Sequence, residues 1–255
     1  MKFEELRIFL DEKADQYNCP DFIENDPIQI PHRFSLKQDI EIAGFLAATI
    51  SWGNRKAIIK SAEKMLEIMG NSPFDFVMNH SEKDLQEIQA KSIHRTFNGE
   101  DFVYFIKQFN RIYTENESLE KLFEINESET NFIHAIERFR SQFLGTEKHR
   151  SHKHVSSPYK NSSTKRIIMF LRWMVRKDRR GVDFGIWGNI NPRYLSIPLD
   201  VHTGNISRKL GLISRTQNDW KTVEELDQVI RKFDDKDPAK YDFALFGLGV
   251  TKEIL

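Results

Sequence analysis

The chain has 255 residues, of which 39% are hydrophobic, and its 38 basic side chains balance 38 acidic ones. This composition is sufficient for a core in one large domain or two joined halves, and no apolar run reaches the length of a membrane span. The single cysteine, Cys19, excludes an internal disulfide, a cysteine-rich metal site and an iron–sulfur cluster. The N-terminus alternates charged with apolar residues, unlike a signal peptide, so we expect a cytoplasmic protein without a cofactor.

Apolar residues recur at three- and four-residue steps along most of the chain, which predicts helices. In chain order these helices cover 3–17, 43–50, 101–113, 132–143, 164–177, 200–211, 222–233 and a segment from 238 onward. Asp101 is the predicted N-cap of the third helix, and Thr222 with Glu225 forms a predicted capping box. No alternating pattern marks a strand of useful length. The predicted fold is therefore all-α, with roughly ten helices.

The second helix ends in the stretch LAATISWGNR, residues 46–55, in which Gly53 can break the helix. Trp52, beside Asn54 and Arg55, could stack on nucleic-acid bases. It could equally pack two helices together, and the residues alone slightly favour that role. The 20 phenylalanines are assigned to the core.

Basic residues are concentrated between positions 146 and 180, where 11 lysines and arginines accompany two acidic residues. This stretch predicts either one basic face or a solvated, mobile loop, since residues 145–163 are polar throughout. Three of its histidines, His149, His152 and His154, could hold a transition metal weakly. Their setting favours a basic loop, and we predict no metal site.

Lys165 lies in the predicted first turn of the helix at 164–177. The helix dipole and the neighbouring Arg166 both disfavour a cation there, which favours the neutral, nucleophilic amine. Such an amine can attack an electrophilic carbon and form a Schiff base. The alternative is a surface lysine whose stem covers apolar neighbours, and the residues alone favour that alternative.

Asp200 precedes the predicted helix at 200–211 and fits its N-cap, with Gly211 as the C-terminal stop. A capping aspartate can also stabilise a developing cation or accept a proton. His202 could help to hold a phosphate or orient Asp200, although a surface role is the simpler interpretation. The irregular segment 178–197 contains Phe184 and Trp187, so we expect it to pack against the rest of the protein.

The order of these parts resembles the helix-hairpin-helix DNA glycosylases, the superfamily of endonuclease III and 8-oxoguanine glycosylase. The shared features are the early helix with its polar tip, the lysine at a helix start, the aspartate in PLDVH and the closing YDFALFGLG. The turn before the lysine reads KNSST, where the superfamily has a glycine-rich turn. Over most of its length the chain resembles more closely an uncharacterised bacterial family of proteins of unknown function.

The resemblance implies a two-lobed helical fold with a modified helix-hairpin-helix element. One lobe would cover 30–145, the other would combine 1–29 with 146–255, and the active site would lie between them. The implied reaction removes a damaged base, such as an oxidised purine, from DNA, with or without abasic-site lyase activity. The target nucleotide must be flipped out of the stack for such chemistry.

Residue by residue, Lys165 matches the Schiff-base lysine and Asp200 the catalytic aspartate. The segment from Ser51 to Arg55, including Trp52 and Asn54, matches the tip that enters the DNA helix.

Further contacts are predicted from residue type and position. Lys160, Arg166 and Arg172 are candidates for phosphate contacts, and Phe184 and Trp187 could sandwich an extruded base. We expect a monomer that binds DNA, associates with the nucleoid when bound, and does not bind membranes.

Two alternatives remain open from the sequence. The same scaffold could bind DNA or RNA structures without catalysis, which the glycine-free turn favours. It could also act on a small nucleoside or a modified RNA, which the neutral overall charge favours.

Overall fold

The computed structural model describes residues 2–251, and within them it confirms the all-α fold class with twelve α-helices. Their bounds are α1 Phe3–Tyr17, α2 Asp21–Glu24, α3 Lys37–Thr49, α4 Arg55–Ile68, α5 Pro73–Asn79, α6 Glu82–Gln89, α7 Gly99–Glu115, α8 Ile133–Leu144, α9 Lys165–Val175, α10 Val201–Lys209, α11 Trp220–Phe233 and α12 Tyr241–Thr251. None of the described helices is long and apolar enough to cross a membrane.

A short antiparallel hairpin interrupts the helices between α6 and α7. Strand β1, Ser92–His94, pairs with β2, Phe97–Asn98. Strands of this length are too short for an alternating pattern to be recognised, which is why the sequence did not predict them.

The chain divides into two compact units. The first unit comprises residues up to Phe22, Ile125–His134 and the chain from Ser157 onward. The second unit comprises Ile23–Glu124 and Ala135–Ser156. The lobes expected at 30–145 and at 1–29 with 146–255 stay a prediction.

In the first unit, α12 is packed between α1 and α10. Tyr17 of α1 lies so close to Gly247 of α12 that a Cβ atom at Gly247 would be 2.2 Å from the tyrosine ring. The Tyr241 hydroxyl donates to Asp11 of α1 at 2.9 Å. This close packing fixes the first turn of α12, which contributes to the site described below.

In the second unit, phenylalanines form the centre of the core, as predicted. The ring of Phe45 on α3 lies within 6.0 Å of four phenylalanine rings from α7 and α8, namely Phe105, Phe109, Phe139 and Phe143. The buried Glu41 carboxylate of α3 accepts hydrogen bonds from the Tyr113 hydroxyl, the Ser118 hydroxyl and the Leu119 N–H. These contacts join α3 to α7 and to the segment after it.

Two predicted helix starts are wrong. The N-cap of α7 is Asn98, and Asp101 is the third helical residue, which completes a capping box with Asn98. The N-cap of α11 is Asp219, whose carboxylate accepts from the Thr222 N–H at 3.0 Å. Glu225, the other half of the predicted box, instead accepts from the N–H and hydroxyl of Ser214.

Candidate active site

Asp200 is the N-cap of α10, as predicted. Its Oδ1 atom accepts from the Thr203 N–H at 2.9 Å, and its backbone carbonyl accepts from the Asn218 side chain at 2.9 Å. At the other end of α10, Gly211 has a φ of +71°, and the Leu212 N–H donates to the Ser207 carbonyl at 2.8 Å. This Schellman motif confirms the predicted stop at Gly211. Asp200 is therefore held in a defined position, and its side chain is half-buried.

Lys165 is the first residue of α9, as predicted, and it is half-buried. The turn before it contains no glycine. At two positions, however, its backbone takes the left-handed conformation that is usually occupied by glycine. Asn161 has a φ of +58° and Thr164 a φ of +45°. A left-handed conformation is tolerated by asparagine but is unusual for a β-branched residue such as threonine. The turn thus achieves a glycine-like backbone at the cost of strain.

The start of α11 anchors this turn. The Asn161 side chain donates to Asp219 Oδ2 at 3.0 Å, and the Trp220 N–H donates to the Asn161 carbonyl at 3.3 Å. Thr164 is 1% exposed, and its hydroxyl has no hydrogen-bond partner among the described residues. The surrounding contacts therefore impose the backbone conformation at Lys165.

Asp242, in the first turn of α12, is a buried carboxylate in the same compact unit as Lys165 and Asp200. It is 5% exposed, and burial raises the pKa of its carboxyl to about 6. The charge of Arg172 opposes this rise in pKa, that of Asp200 adds to it, and that of Lys165 opposes it. Sequence reasoning missed Asp242 because its apolar surroundings in YDFALFGLG indicate only a packing helix.

Asp242 belongs to a buried cluster of arginines and aspartates. Arg172 donates to both Asp242 and Asp183, in the latter case from Nε to Oδ1 at 3.2 Å. Arg176 pairs with Asp183 as well, and its guanidinium lies 5.3 Å from the Phe243 ring centroid. Buried charges of this kind require partners, and each charge here has at least one.

Arg172 is therefore not placed as a phosphate ligand. It is 3% exposed, and its guanidinium is engaged by two carboxylates inside the first unit. We therefore assign Arg172 a structural role in place of the expected phosphate contact. The sequence alone does not show that acidic residues from distant segments pair with this arginine.

Lys160 and Arg166 remain candidates for phosphate contacts. Lys160 is exposed at the end of a single 3₁₀ turn, Pro158–Lys160. Arg166 is half-buried, and desolvation lowers the pKa of its guanidinium to about 10.

The segment 178–197 packs against α9, as predicted, but not in the way expected for base binding. Trp187 is 1% exposed, and its ring meets that of Phe170 edge-on at 5.4 Å. Trp187 is therefore a core residue and is not placed to sandwich a base. Its backbone N–H donates to the Met174 carbonyl, and its ring packs inside the core. Phe184 is half-buried, and its N–H donates to the Trp173 carbonyl at 2.8 Å.

His202 is exposed in the first turn of α10, two residues after Asp200. Its ring lies 6.2 Å from that of Phe246, and a Cβ atom at Gly249 would be 2.9 Å from the His202 Cβ. The close approach to α12 fixes the histidine beside the start of α10, so its predicted role stays open.

In the second unit, the predicted tip forms the turn between α3 and α4. The buried Ser51 hydroxyl donates to the Ala47 carbonyl at 2.7 Å, and Asn54 caps α4 by accepting from the Ala57 N–H. Trp52 is half-buried, lying edge-on to His94 at 5.1 Å and stacked on His154 at 5.9 Å. These contacts favour the packing role of Trp52 over the stacking of bases.

Arg95, in the turn of the β-hairpin, is a further cation at this tip that sequence reasoning missed. Its guanidinium lies against Gly53, where a Cβ atom would be 2.5 Å from the arginine Cζ. Gly53 has a φ of +97°, and Arg95 itself has a φ of +49°. Arg95 is exposed, and it adds a positive charge to the turn that contains Asn54 and Arg55.

The basic stretch at 146–180 is packed rather than mobile, and it is partly neutralised. Arg150 pairs with Asp101 at 2.8 Å, and Arg180 pairs with Asp15. His149 stacks on Tyr104 with the ring centroids 4.1 Å apart. No group of three potential metal ligands occurs within residues 2–251.

Fold and site together define an all-α protein in which a lysine and two aspartates lie at the starts of α9, α10 and α12 of one compact unit. Residues 26–251 match the family described as "Protein of unknown function (DUF2400)", and the chain belongs to that family. The closer of the two resemblances, to a family of unknown function, agrees with this match. No curated protein and no solved structure matches the chain.

Proposed function

We propose that the protein is a DNA glycosylase that uses Lys165 as a nucleophile and Asp200 as the residue that stabilises positive charge. One observation carries the proposal: Lys165 is the first residue of α9 and Asp200 is the N-cap of α10, and both helix starts belong to the same compact unit. A lysine amine can form a Schiff base with an electrophilic carbon. The resemblance supplies the substrate class, which is a damaged base such as an oxidised purine in DNA.

In the proposed reaction, the neutral Lys165 amine forms a bond to sugar C1′ while the bond between C1′ and the base breaks. The electron pair of the broken bond leaves with the base, and the proton released by the new C–N bond goes to the departing base. Positive charge develops on the sugar, and the Asp200 carboxylate stabilises it. The ring then opens: the nitrogen lone pair forms a double bond to C1′ while the C1′–O4′ bond breaks, its electron pair stays on O4′, and O4′ takes a proton from water. An iminium ion between the lysine and C1′ is left.

DNA contacts in the second unit are proposed for the α3–α4 turn and the β-hairpin turn beside it. Asn54, Arg55 and Arg95 supply the polar and cationic side chains there. Such groups contact phosphates and fix the orientation of a protein on a duplex. Arg95 is added here to the residues expected from the sequence.

The experiment incubates the protein with duplexes that contain 8-oxoguanine or an abasic site and adds borohydride, which reduces an iminium ion to a stable adduct. We expect an adduct with the wild-type protein and none with Lys165→Gln. Lys209→Gln is the matched control, because Lys209 is exposed at the opposite end of α10 from Asp200. An adduct that survives Lys165→Gln contradicts the proposal.

A second candidate is nucleic-acid binding without catalysis. The exposed arginine of the hairpin turn and the glycine-free turn before α9 favour it. It predicts that duplexes or structured RNA bind, that no adduct forms and that no base is released. The ion pairs that partly neutralise the basic stretch at 146–180 instead favour action on a small nucleoside. Release of a free base from nucleosides would reveal that activity.

A further inference from the structure

We propose that Asn218 and Asp219, two adjacent residues directly before α11, are positioning residues that hold the start of α9 and the start of α10 in a fixed relation. The inference rests on the proposed function and deepens it, because the two helix starts carry Lys165 and Asp200. It assigns a role to a segment that neither the motifs of the sequence nor the resemblance includes.

Asn218 holds α10 through its side-chain amide. Its Nδ2 atom donates to the Asp200 backbone carbonyl at 2.9 Å, and its Oδ1 atom accepts from Arg208 Nη2 at 2.6 Å. Arg208, in the last turn of α10, also donates to two backbone carbonyls of the segment that precedes Asn218. The amide lies so close to the helix that a Cβ atom at Gly204 would be 2.6 Å from Asn218 Oδ1. Asn218 is therefore fixed against both ends of α10.

Asp219 holds the turn that leads into α9. Its Oδ2 atom accepts from Asn161 Nδ2 at 3.0 Å, and its backbone pairs with that of Ser162 in an isolated antiparallel bridge. The Trp220 N–H adds a hydrogen bond to the Asn161 carbonyl at 3.3 Å. Lys165 begins α9 three residues after Ser162, so the contacts with Asp219 lie directly before the proposed nucleophile.

The Asp219 carboxylate has partners on both of its oxygens. Oδ2 also accepts from Arg215 Nη2 at 2.6 Å, and Oδ1 accepts from the Thr222 N–H at 3.0 Å. Arg215 Nε in turn donates to the Thr222 hydroxyl at 3.0 Å. These hydrogen bonds give Asp219 one defined orientation, so it can act as a fixed support for the turn.

The contacts form one continuous connection between the two helix starts. It runs from Asn161 to Asp219, along one peptide bond to Asn218, and from there to Asp200. Links in series act as a unit, because breaking any one of them breaks the connection. Hydrogen bonds that only stabilise the fold would instead contribute independently. A pair of substitutions distinguishes the two cases.

The kinetic test is a double-mutant cycle on the rate of adduct formation at saturating abasic duplex with borohydride. Asn218→Ala removes the contact with Asp200. Asn161→Gly removes the side-chain contact with Asp219, and glycine is suited to the left-handed backbone at this position. We expect each substitution to slow adduct formation about tenfold, because displacement of reacting groups is costly. The double variant should be no slower than the slower single variant.

Asn110→Ala is the matched control. Asn110 is half-buried like Asn218, and its Nδ2 atom also donates to a backbone carbonyl, that of Val77, at 2.9 Å. Both substitutions should lower the free energy of unfolding, but only Asn218→Ala should slow adduct formation, with the affinity for duplex unchanged. The inference is overturned if the two effects in the cycle multiply, if Asn218→Ala changes affinity alone, or if Asn110→Ala slows the reaction equally.

A second measurement needs no activity. In a Cys19→Ser background, spin labels are attached at Lys160→Cys and Val201→Cys, two exposed positions beside the two helix starts. Electron paramagnetic resonance then gives the distribution of distances between the labels. We expect Asn218→Ala to broaden this distribution and Asn110→Ala to leave it unchanged. If Asn218→Ala leaves it unchanged, the inference is overturned whether or not an adduct forms. If the distribution broadens but no duplex gives an adduct, the connection stands and the proposed glycosylase activity fails.

Discussion

At the scale of single residues, the backbone at Thr164 is the most informative departure from expectation. A threonine in the left-handed conformation costs about 1–2 kcal/mol relative to a regular one. Its buried hydroxyl also lacks a hydrogen-bond partner among the described residues. Strain of this kind persists where the surrounding structure imposes it, and it is often found at functional sites.

We predict that Thr164→Gly changes the free energy of unfolding by less than about 1 kcal/mol, because relief of strain offsets the flexibility that glycine adds to the unfolded chain. Thr203→Gly is the matched control. Thr203 is also fully buried, and its hydroxyl has no partner within residues 2–251, but it lies within α10 in a helical conformation. That substitution should cost clearly more. Equal losses of stability in denaturant unfolding would show that Thr164 is not strained.

At the scale of elements, α11 shows where sequence reasoning succeeded and where it stopped. The apolar stripe of this helix is buried as predicted, at Leu226, Ile230 and Phe233. Its start was misplaced because the segment 219–225 offers two local patterns, Asp219 with Thr222 and Thr222 with Glu225, and the structure uses the first as the cap while Glu225 accepts from Ser214. Local patterns identify helices well, but they do not decide between polar residues a few positions apart that could each cap the same helix.

The same limit applies to the site. The sequence placed Lys165 and Asp200 at helix starts because caps and stops are local features. It did not identify Asp242 or Arg95, because the importance of each depends on a contact with a distant segment.

The element α11 also carries a pH-dependent contribution to stability. Burial raises the pKa of Asp227 to about 6, against the opposing charge of Arg231 and the hydrogen bond from Ser196. Between about pH 4 and pH 6 the folded state therefore binds this proton more tightly than the unfolded state. Stability from this group is present below about pH 4 and is lost as the pH rises through about 6.

We predict that Asp227→Asn becomes more stable relative to the wild-type protein as the pH rises from 4 to 7, by up to about 3 kcal/mol. Urea unfolding at a series of pH values measures the difference. Glu225→Gln is a control whose stability difference should change with pH in the opposite direction. At Glu225 the effect of burial is outweighed by hydrogen bonds from Ser214, which lower the pKa of its carboxyl. A pH-independent difference for Asp227→Asn would contradict the prediction.

At the scale of the whole molecule, the even balance of charge matters for binding. Part of the basic stretch at 146–180 is neutralised by acidic residues from other segments, as with Arg150 and Asp101. Affinity for nucleic acid should therefore depend on a few exposed cations, and its dependence on salt should be shallow.

We predict that Arg95→Ala weakens duplex binding for all base sequences alike and reduces the slope of log K against log salt by about 1. The control is Arg180→Ala, since Arg180 is paired with Asp15 and should contribute little to the slope. Fluorescence anisotropy at several salt concentrations provides the measurement. A slope unchanged by Arg95→Ala would remove the hairpin turn from the proposed DNA contact.

The most direct test of the central claim is to digest the borohydride-reduced adduct with protease and find the modified residue by mass spectrometry. We predict that the sugar remnant is attached to Lys165, in a peptide from the start of α9. A remnant attached to another lysine or to the terminal amine would contradict the proposed role of Lys165. The absence of any adduct with abasic and 8-oxoguanine duplexes would contradict the proposed reaction.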